Sequence, residues 1–148
     1  MNEQNNATAS LLSELYKNMK MGADGIINLS SKVGEGALRD ELARQLDTYE
    51  SFSKKIEMQL YELGDKPMEE NPLSKFASKV GIAMNTLADS SESHIAQMMI
   101  EGATMGVTEN TKLLNRYEKK DVSPRAITLC RESIEFMEKS IEELKKFL

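Results

Sequence analysis

Apolar side chains recur at alternating spacings of three and four residues through most of this 148-residue chain. Such spacing lines them along one face of an α-helix, so it predicts amphipathic helices that each bury one face. The pattern forms four long stretches, at about 8–33, 36–63, 91–118 and 124–148, and a shorter one at about 73–88. We therefore predict an all-α protein, an antiparallel four-helix bundle that forms a single domain over residues 1–148.

Capping residues stand at the ends of several of these stretches. We expect Thr8 or Asn6 to cap the first helix, and Ser123 followed by Pro124 to begin the last one. Gly64 is expected to follow the last residue of the second helix in a left-handed conformation. So few residues separate the first two helices that these must be antiparallel neighbours.

The connection between the second and third long helices, roughly residues 65–90, leaves the topology open. The short helix at 73–88 is out of phase with the next helix by about 110°, so we expect a break at 89–92. A connection of this length can return along the bundle, which would make those two long helices parallel in an up-down-down-up topology. An up-down-up-down bundle with a kinked third helix is the alternative.

His94, the single histidine, lies seven residues before Glu101, so the two share a helix face and raise the question of a metal site. A ferritin-like di-metal centre needs a Glu-x-x-His motif on each of two helices. Here one histidine is present, and Ser91 stands three residues before it, so that ligand set is absent. The apolar pattern also turns His94 and Glu101 toward water. We therefore predict no metal ligand, no cofactor and no catalytic residue.

A metal site built from carboxylates alone is the alternative. Glu50 and Glu57 of the second helix, with Glu135 of the last, would offer oxygen ligands to iron or manganese. No glutamate of the four long helices lies at the centre of an apolar face, so we interpret these residues as charges on hydrated surfaces.

A few residues other than aliphatic ones fall on the interior faces. Gln45, Gln59 and Asn110 are neutral amides, and such buried amides fix the register of helices more often than they do chemistry. Cys130 lies among apolar neighbours of the last helix, so we expect a buried, unreactive thiol.

Charge and hydropathy bear on partners and location. The net charge of −5, without a basic stripe, argues against nucleic-acid binding. No apolar run is long enough to cross a membrane, and the first residues do not form a signal peptide. One cysteine suits a reducing compartment, so we predict a cytoplasmic protein.

Ten methionines are many for this length, and several lie away from the main apolar faces: Met21, Met58, Met98 and Met105. The last helix also carries a second, outer row of Leu129, Phe136 and Phe147. Two explanations compete: the helix at 73–88 covers this row, or the exposed apolar side chains form an oligomer contact. The second explanation predicts a homodimer or a larger assembly.

Four segments carry a resemblance to known proteins: LLSELYKNMKMGADGIINLSSKV, LRDELARQLDTYESFSKKIEMQLYELG, IAQMMIEGATMGVTENTKLLNRY and SPRAITLCRESIEFMEKSIEELKKFL. Together they resemble small bacterial four-helix proteins of the ferritin-like superfamily known only as domains of unknown function, and more distantly the ferritin-like spore-coat proteins. The resemblance covers nearly the whole chain from residue 8 and implies a four-helix core with an intervening crossover. It carries no metal ligands over, because the Glu-x-x-His positions have no match here.

We therefore expect a cytoplasmic, non-catalytic ferritin-like bundle that acts through self-assembly or through contact with a protein partner that the sequence does not identify. A degenerate iron or manganese storage or oxidase protein with a carboxylate-only site is the alternative. A structural protein of spores or of the stress response, which would form large assemblies, is a third hypothesis.

Overall fold

The computed structural model describes residues 2–67 and 90–148 of the chain. In these ranges every regular element is a helix: α1 (Glu3–Ser30), α2 (Ala37–Glu62), α3 (Glu92–Tyr117) and α4 (Pro124–Lys145). The all-α, four-helix prediction is confirmed for this part of the chain, and the short helix predicted at 73–88 lies outside it. At about 1.5 Å per residue, the longer helices extend roughly 40 Å.

Helix α1 packs against α2 on one side and against α3 on another. The short turn at 31–36 reverses the chain, so α1 and α2 are antiparallel. Side-chain hydrogen bonds join Asn18 to Asn110 and Glu14 to Arg116. In these pairs the residue number falls along α3 as it rises along α1, so these two helices are antiparallel as well. It follows that α2 and α3 run in the same direction.

Helix α4 packs against both α3 and α2. The Nη1 atom of Arg125 lies 2.9 Å from Oε2 of Glu62, and the ring centroids of Tyr49 and Phe136 are 4.8 Å apart. These pairs make α4 antiparallel to α2, so the four helices run up, down, down, up, the first of the two topologies considered. The last residue of α2 and the first residue of α3 therefore lie at opposite ends of the bundle.

Helix α1 begins five residues before the predicted start. Its cap is Asn2, whose Oδ1 atom accepts a hydrogen bond of 2.7 Å from the backbone N–H three residues on, so the prediction of Thr8 or Asn6 as the cap is wrong. Thr8 is buried instead. Its hydroxyl donates to the carbonyl oxygen of Gln4 at 2.7 Å and accepts from the backbone N–H of Ser123 at 3.0 Å, which ties α1 to the start of α4.

Helix α2 ends at the predicted glycine. Gly64 has a φ of +76°, in the left-handed region that favours glycine. Its N–H donates to the carbonyl oxygen of Tyr61, and the N–H of Asp65 donates to that of Leu60, both at 2.9 Å. This pair of bonds is the Schellman motif, which satisfies carbonyl groups that the end of a helix otherwise leaves free.

A single hydrophobic core joins the four helices. Its largest fully buried side chains lie on the apolar faces of all four: Leu11, Leu12, Leu15, Met19, Ile26, Leu38, Leu42, Ile56, Leu60, Ile95, Met137 and Leu144.

Helix α2 covers part of the outer row of α4, and the alternative cover, the helix predicted at 73–88, lies outside the described residues. Leu129 is only 4% exposed, and the Phe136 ring packs edge-on against Tyr49 and tilted against Phe52 of α2. Phe147 is half-buried against the core. Because α4 packs against two neighbouring helices, its buried face is wider than the single stripe that the spacing suggests.

Candidate functional site

The residues that raised the metal question lie near the start of α3. His94 is half-buried, and its backbone N–H donates to Oγ of Ser91, the helix cap, at 3.2 Å. Glu101 is exposed and accepts a hydrogen bond of 3.2 Å from Nε2 of Gln97. Within residues 2–67 and 90–148, no three His, Cys, Asp or Glu side chains form a group that could hold a metal ion.

The carboxylates of the alternative metal site lie on the outside of the bundle. Glu50 and Glu135 are exposed. Glu57 is half-buried, and its Oε1 atom accepts a hydrogen bond of 3.1 Å from the hydroxyl of Tyr61. These three residues are therefore not part of any such group in the described part of the chain.

Glu41 of α2 is a buried carboxylate that the sequence reasoning missed. It is 7% exposed, so the expectation that no glutamate of the long helices points inward is wrong at this position. Its Oε1 atom accepts from Nη2 of Arg44 at 2.6 Å, and its Oε2 atom accepts from Nε2 of Gln45 at 3.0 Å. The hydrogen bond to Glu41 and the charge of that carboxylate raise the pKa of Arg44. A signal was present, because Glu41 lies three residues after buried Leu38 and four before buried Gln45.

The middle of the bundle holds a neutral polar cluster around Asn110, which is fully buried, as predicted. Its Oδ1 atom accepts from Nδ2 of Asn18 at 2.8 Å, and its own Nδ2 atom donates to Oγ of Ser133 at 3.0 Å. The Ser133 hydroxyl donates in turn to the carbonyl oxygen of Cys130 at 2.6 Å. Asn110 thus links α3 to α1 and α4. In the described ranges, every buried side-chain nitrogen and oxygen has a hydrogen-bond partner.

Cys130 is fully buried beside this cluster, as expected. Its Sγ atom lies 3.5 Å from the carbonyl oxygen of Asn110. Burial raises the pKa of the thiol to about 11. Because the thiolate is the nucleophilic form, a cysteine in this setting is unreactive at neutral pH.

Two surface cavities open along the contact between α2 and α4, which we call the α2/α4 groove. The larger has a volume of about 420 Å³ and is lined by Lys55, Met58, Gln59, Pro124, Arg125, Thr128, Leu129 and Glu132. The smaller has a volume of about 320 Å³ and is lined by Glu41, Arg44, Gln45, Thr48, Phe136, Lys139, Ser140 and Glu143.

Two of the predicted interior amides, Gln45 and Gln59, and one of the predicted outer methionines, Met58, line the cavities of this groove. Gln45 is buried as predicted, whereas Gln59 is half-buried in the wall of the larger cavity. Met58, in the same wall, is 63% exposed, and Met105 of α3 is 45% exposed. The larger cavity therefore combines exposed apolar surface with charged residues of both signs.

No helix in the described ranges is long and apolar enough to cross a membrane. Comparison of the chain with protein-family models, with curated proteins and with solved structures found no match in any of the three.

Proposed function

We propose that this chain is a ferritin-like helical bundle that acts without catalysis, through protein contact and in the first place through self-assembly. The α2/α4 groove is the observation that carries the proposal. There, Met58 is largely exposed in the wall of a cavity that also contains exposed Pro124. Apolar side chains beside a polar rim are typical of surfaces that bind other proteins.

The ferritin-like part of the proposal is supported by the directions of the helices. Parallel second and third helices require a long connection, and this one-crossover arrangement distinguishes ferritin-like bundles from simple up-and-down bundles. The link between Glu62 and Glu92 joins opposite ends of the bundle, in agreement with such a crossover.

The non-catalytic part is supported by what fills the interior. Ferritin-like metal enzymes place carboxylates and histidines in the middle of the bundle. In this chain the corresponding space is taken by the neutral groups of Asn110, Asn18 and Ser133, which hydrogen-bond to one another. These groups neither exchange protons near neutral pH nor bind iron or manganese strongly.

Light scattering coupled to gel filtration tests self-assembly. We expect the full chain to form a dimer or a larger assembly that dissociates on dilution. A chain that remains monomeric up to its solubility limit would contradict the proposal. A very large assembly would favour the structural-protein hypothesis.

Elemental analysis tests the rival, a carboxylate-only metal protein around Glu50, Glu57 and Glu135. Protein purified without chelators and then titrated with iron is expected to bind no iron or manganese in a fixed ratio of metal ions to chains. Stoichiometric iron or manganese that is lost in Glu50→Ala but kept in Glu101→Ala, a matched exposed glutamate on α3, would replace our proposal with the rival.

A further inference from the structure

The two walls of the α2/α4 groove carry opposite charges at matching heights. At one end, Glu62 of α2 is paired with Arg125 of α4, with 2.9 Å between Oε2 and Nη1. Two helical turns further, Lys55 of α2 is level with Glu132 of α4, since each lies seven residues from its member of that pair. Both residues are exposed and line the larger cavity.

A third level of charged residues lies toward the other end of the groove. Arg44 of α2 and Glu143 of α4 both line the smaller cavity, each about three turns from Lys55 and Glu132 respectively. The charge of Glu143 contributes to the raised pKa of Arg44. Each wall of this cavity carries both signs, since Glu41 is bonded to Arg44 on α2 and Lys139 lies beside Glu143 on α4. The simple opposition of one positive and one negative side chain across the groove therefore holds at the first two levels.

We propose that the α2/α4 groove is a two-fold contact surface for a second copy of this chain, an inference that rests on the proposed function of self-assembly. A two-fold axis along the groove sets α2 of each copy against α4 of the other at the same height. The first two levels then place opposite charges across the interface, so that Lys55 of one copy faces Glu132 of the second. Met58 lies one turn from Lys55 and packs against the α4 wall of the second copy.

The size of this surface sets the expected affinity. From Arg44 to Glu62, α2 extends about 27 Å, and two helices about 10 Å wide give roughly 500 Å² per copy. Stable complexes bury about 800 Å² per partner. We therefore expect a dimer that dissociates on dilution and that added salt weakens, since its charged residues are exposed.

Charge reversal in the full chain tests the contact. Lys55→Glu or Glu132→Lys alone places like charges opposite each other twice in a two-fold dimer, and we expect each to raise the dissociation constant about tenfold in sedimentation velocity. The double exchange Lys55→Glu with Glu132→Lys restores opposite charges, so its constant is expected within about threefold of the unsubstituted chain. Lys20→Glu, at an exposed lysine of α1, makes the same charge change outside the groove and is the matched control.

The outcomes separate this inference from the proposed function. A dimer that neither single substitution weakens overturns the α2/α4 contact and leaves self-assembly through another surface in place. A double exchange that stays dissociated, with an unchanged unfolding temperature, overturns the reciprocal pairing. A chain that is monomeric at every concentration overturns the proposed function itself.

Discussion

The contacts on two opposite sides of the bundle, α1 with α3 and α2 with α4, are built differently. Between α1 and α3, fully buried Asn110 of α3 hydrogen-bonds to Asn18 of α1, and it also donates to Ser133 of α4. Between α2 and α4, the rings of Tyr49 and Phe136 meet in the middle and a surface cavity opens on either side. A buried amide holds its helices in one register, because a shift would leave it without hydrogen-bond partners. Packed rings and exposed charges impose no such requirement. The first side therefore fixes the register of the helices, and the second carries the cavities on which we base the proposed self-assembly.

Removing the central amide is expected to have the largest effect. Asn110→Ala removes the hydrogen bonds to Asn18 and Ser133 and creates a cavity, which should lower the free energy of unfolding by about 3 kcal/mol in urea titrations. Asn115→Ala, at an exposed position on the same helix, is the control and should change it by less than about 0.5 kcal/mol. A loss below about 1 kcal/mol for Asn110→Ala would contradict the structural role of the cluster.

The loss of stability at alkaline pH reports on two buried groups, Cys130 near the central amide and Tyr49 at the α2/α4 contact. Burial raises the pKa of Cys130 to about 11 and that of Tyr49 to about 12. Both groups are neutral when protonated, so the unfolded chain releases their protons first as the pH rises. Their contribution to stability is complete below about pH 8 and is lost toward pH 12, with a loss of about 2 kcal/mol between pH 8 and pH 10.

Two substitutions separate these contributions. Urea titrations across this pH range should show a smaller decline for Cys130→Ala, at the centre, and a slightly smaller one for Tyr49→Phe, at the α2/α4 contact. If all three chains lose stability in parallel, neither group is responsible for the alkaline decline.

Removing the Phe136 ring is expected to lower the free energy of unfolding by less than removing the Asn110 amide does. Phe136 is half-buried, and its ring centroid lies 4.8 Å from that of Tyr49 and 5.6 Å from that of Phe52. Phe136→Ala should lower the free energy of unfolding by about 2 kcal/mol, below the 3–5 kcal/mol typical of a fully buried phenylalanine. A double-mutant cycle with Tyr49→Leu should give a coupling of about 1 kcal/mol, and an additive result would remove the ring contact as a cause.

The smallest effect is expected at the exposed ion pair. The side chains of Arg125 and Glu62 are 67% and 54% exposed. Glu62→Gln should therefore change the free energy of unfolding by less than about 0.5 kcal/mol, and added salt should remove the difference. A loss above about 1 kcal/mol that persists in salt would mean that this end of the α2/α4 contact is more buried than its exposure indicates.

Some helix ends followed from local residues, and others depended on distant ones. The end of α2 was predictable because Gly64 supplies the left-handed conformation itself. The start of α1 was not, because residues 3–7 have no apolar stripe. Nε2 of Gln4 donates to Oδ1 of Asp121 at 3.0 Å, a contact with a residue at the far end of the sequence that holds this first turn in place.

The candidate site was predictable only in part. Asn110 stood out as a polar residue on an apolar face. Glu41 has the spacing of the buried face, but a carboxylate is ordinarily placed at the surface, and its burial requires the hydrogen bonds from Arg44 and Gln45 that compensate its desolvation. The level pairs along the groove, such as Lys55 with Glu132, appear only once α2 and α4 are known to be antiparallel neighbours.

The sequence by itself determined that the described part of the chain forms long amphipathic helices, approximately where they lie, and which residues face inward on most of them. These properties depend on a periodicity of 3.6 residues, which is local. The tertiary structure alone decided that α2 and α3 are parallel, that α4 buries a wider face, and that two cavities open along the contact between α2 and α4. Such properties depend on contacts between residues far apart in the chain, such as Asn18 and Asn110, which are 92 positions apart.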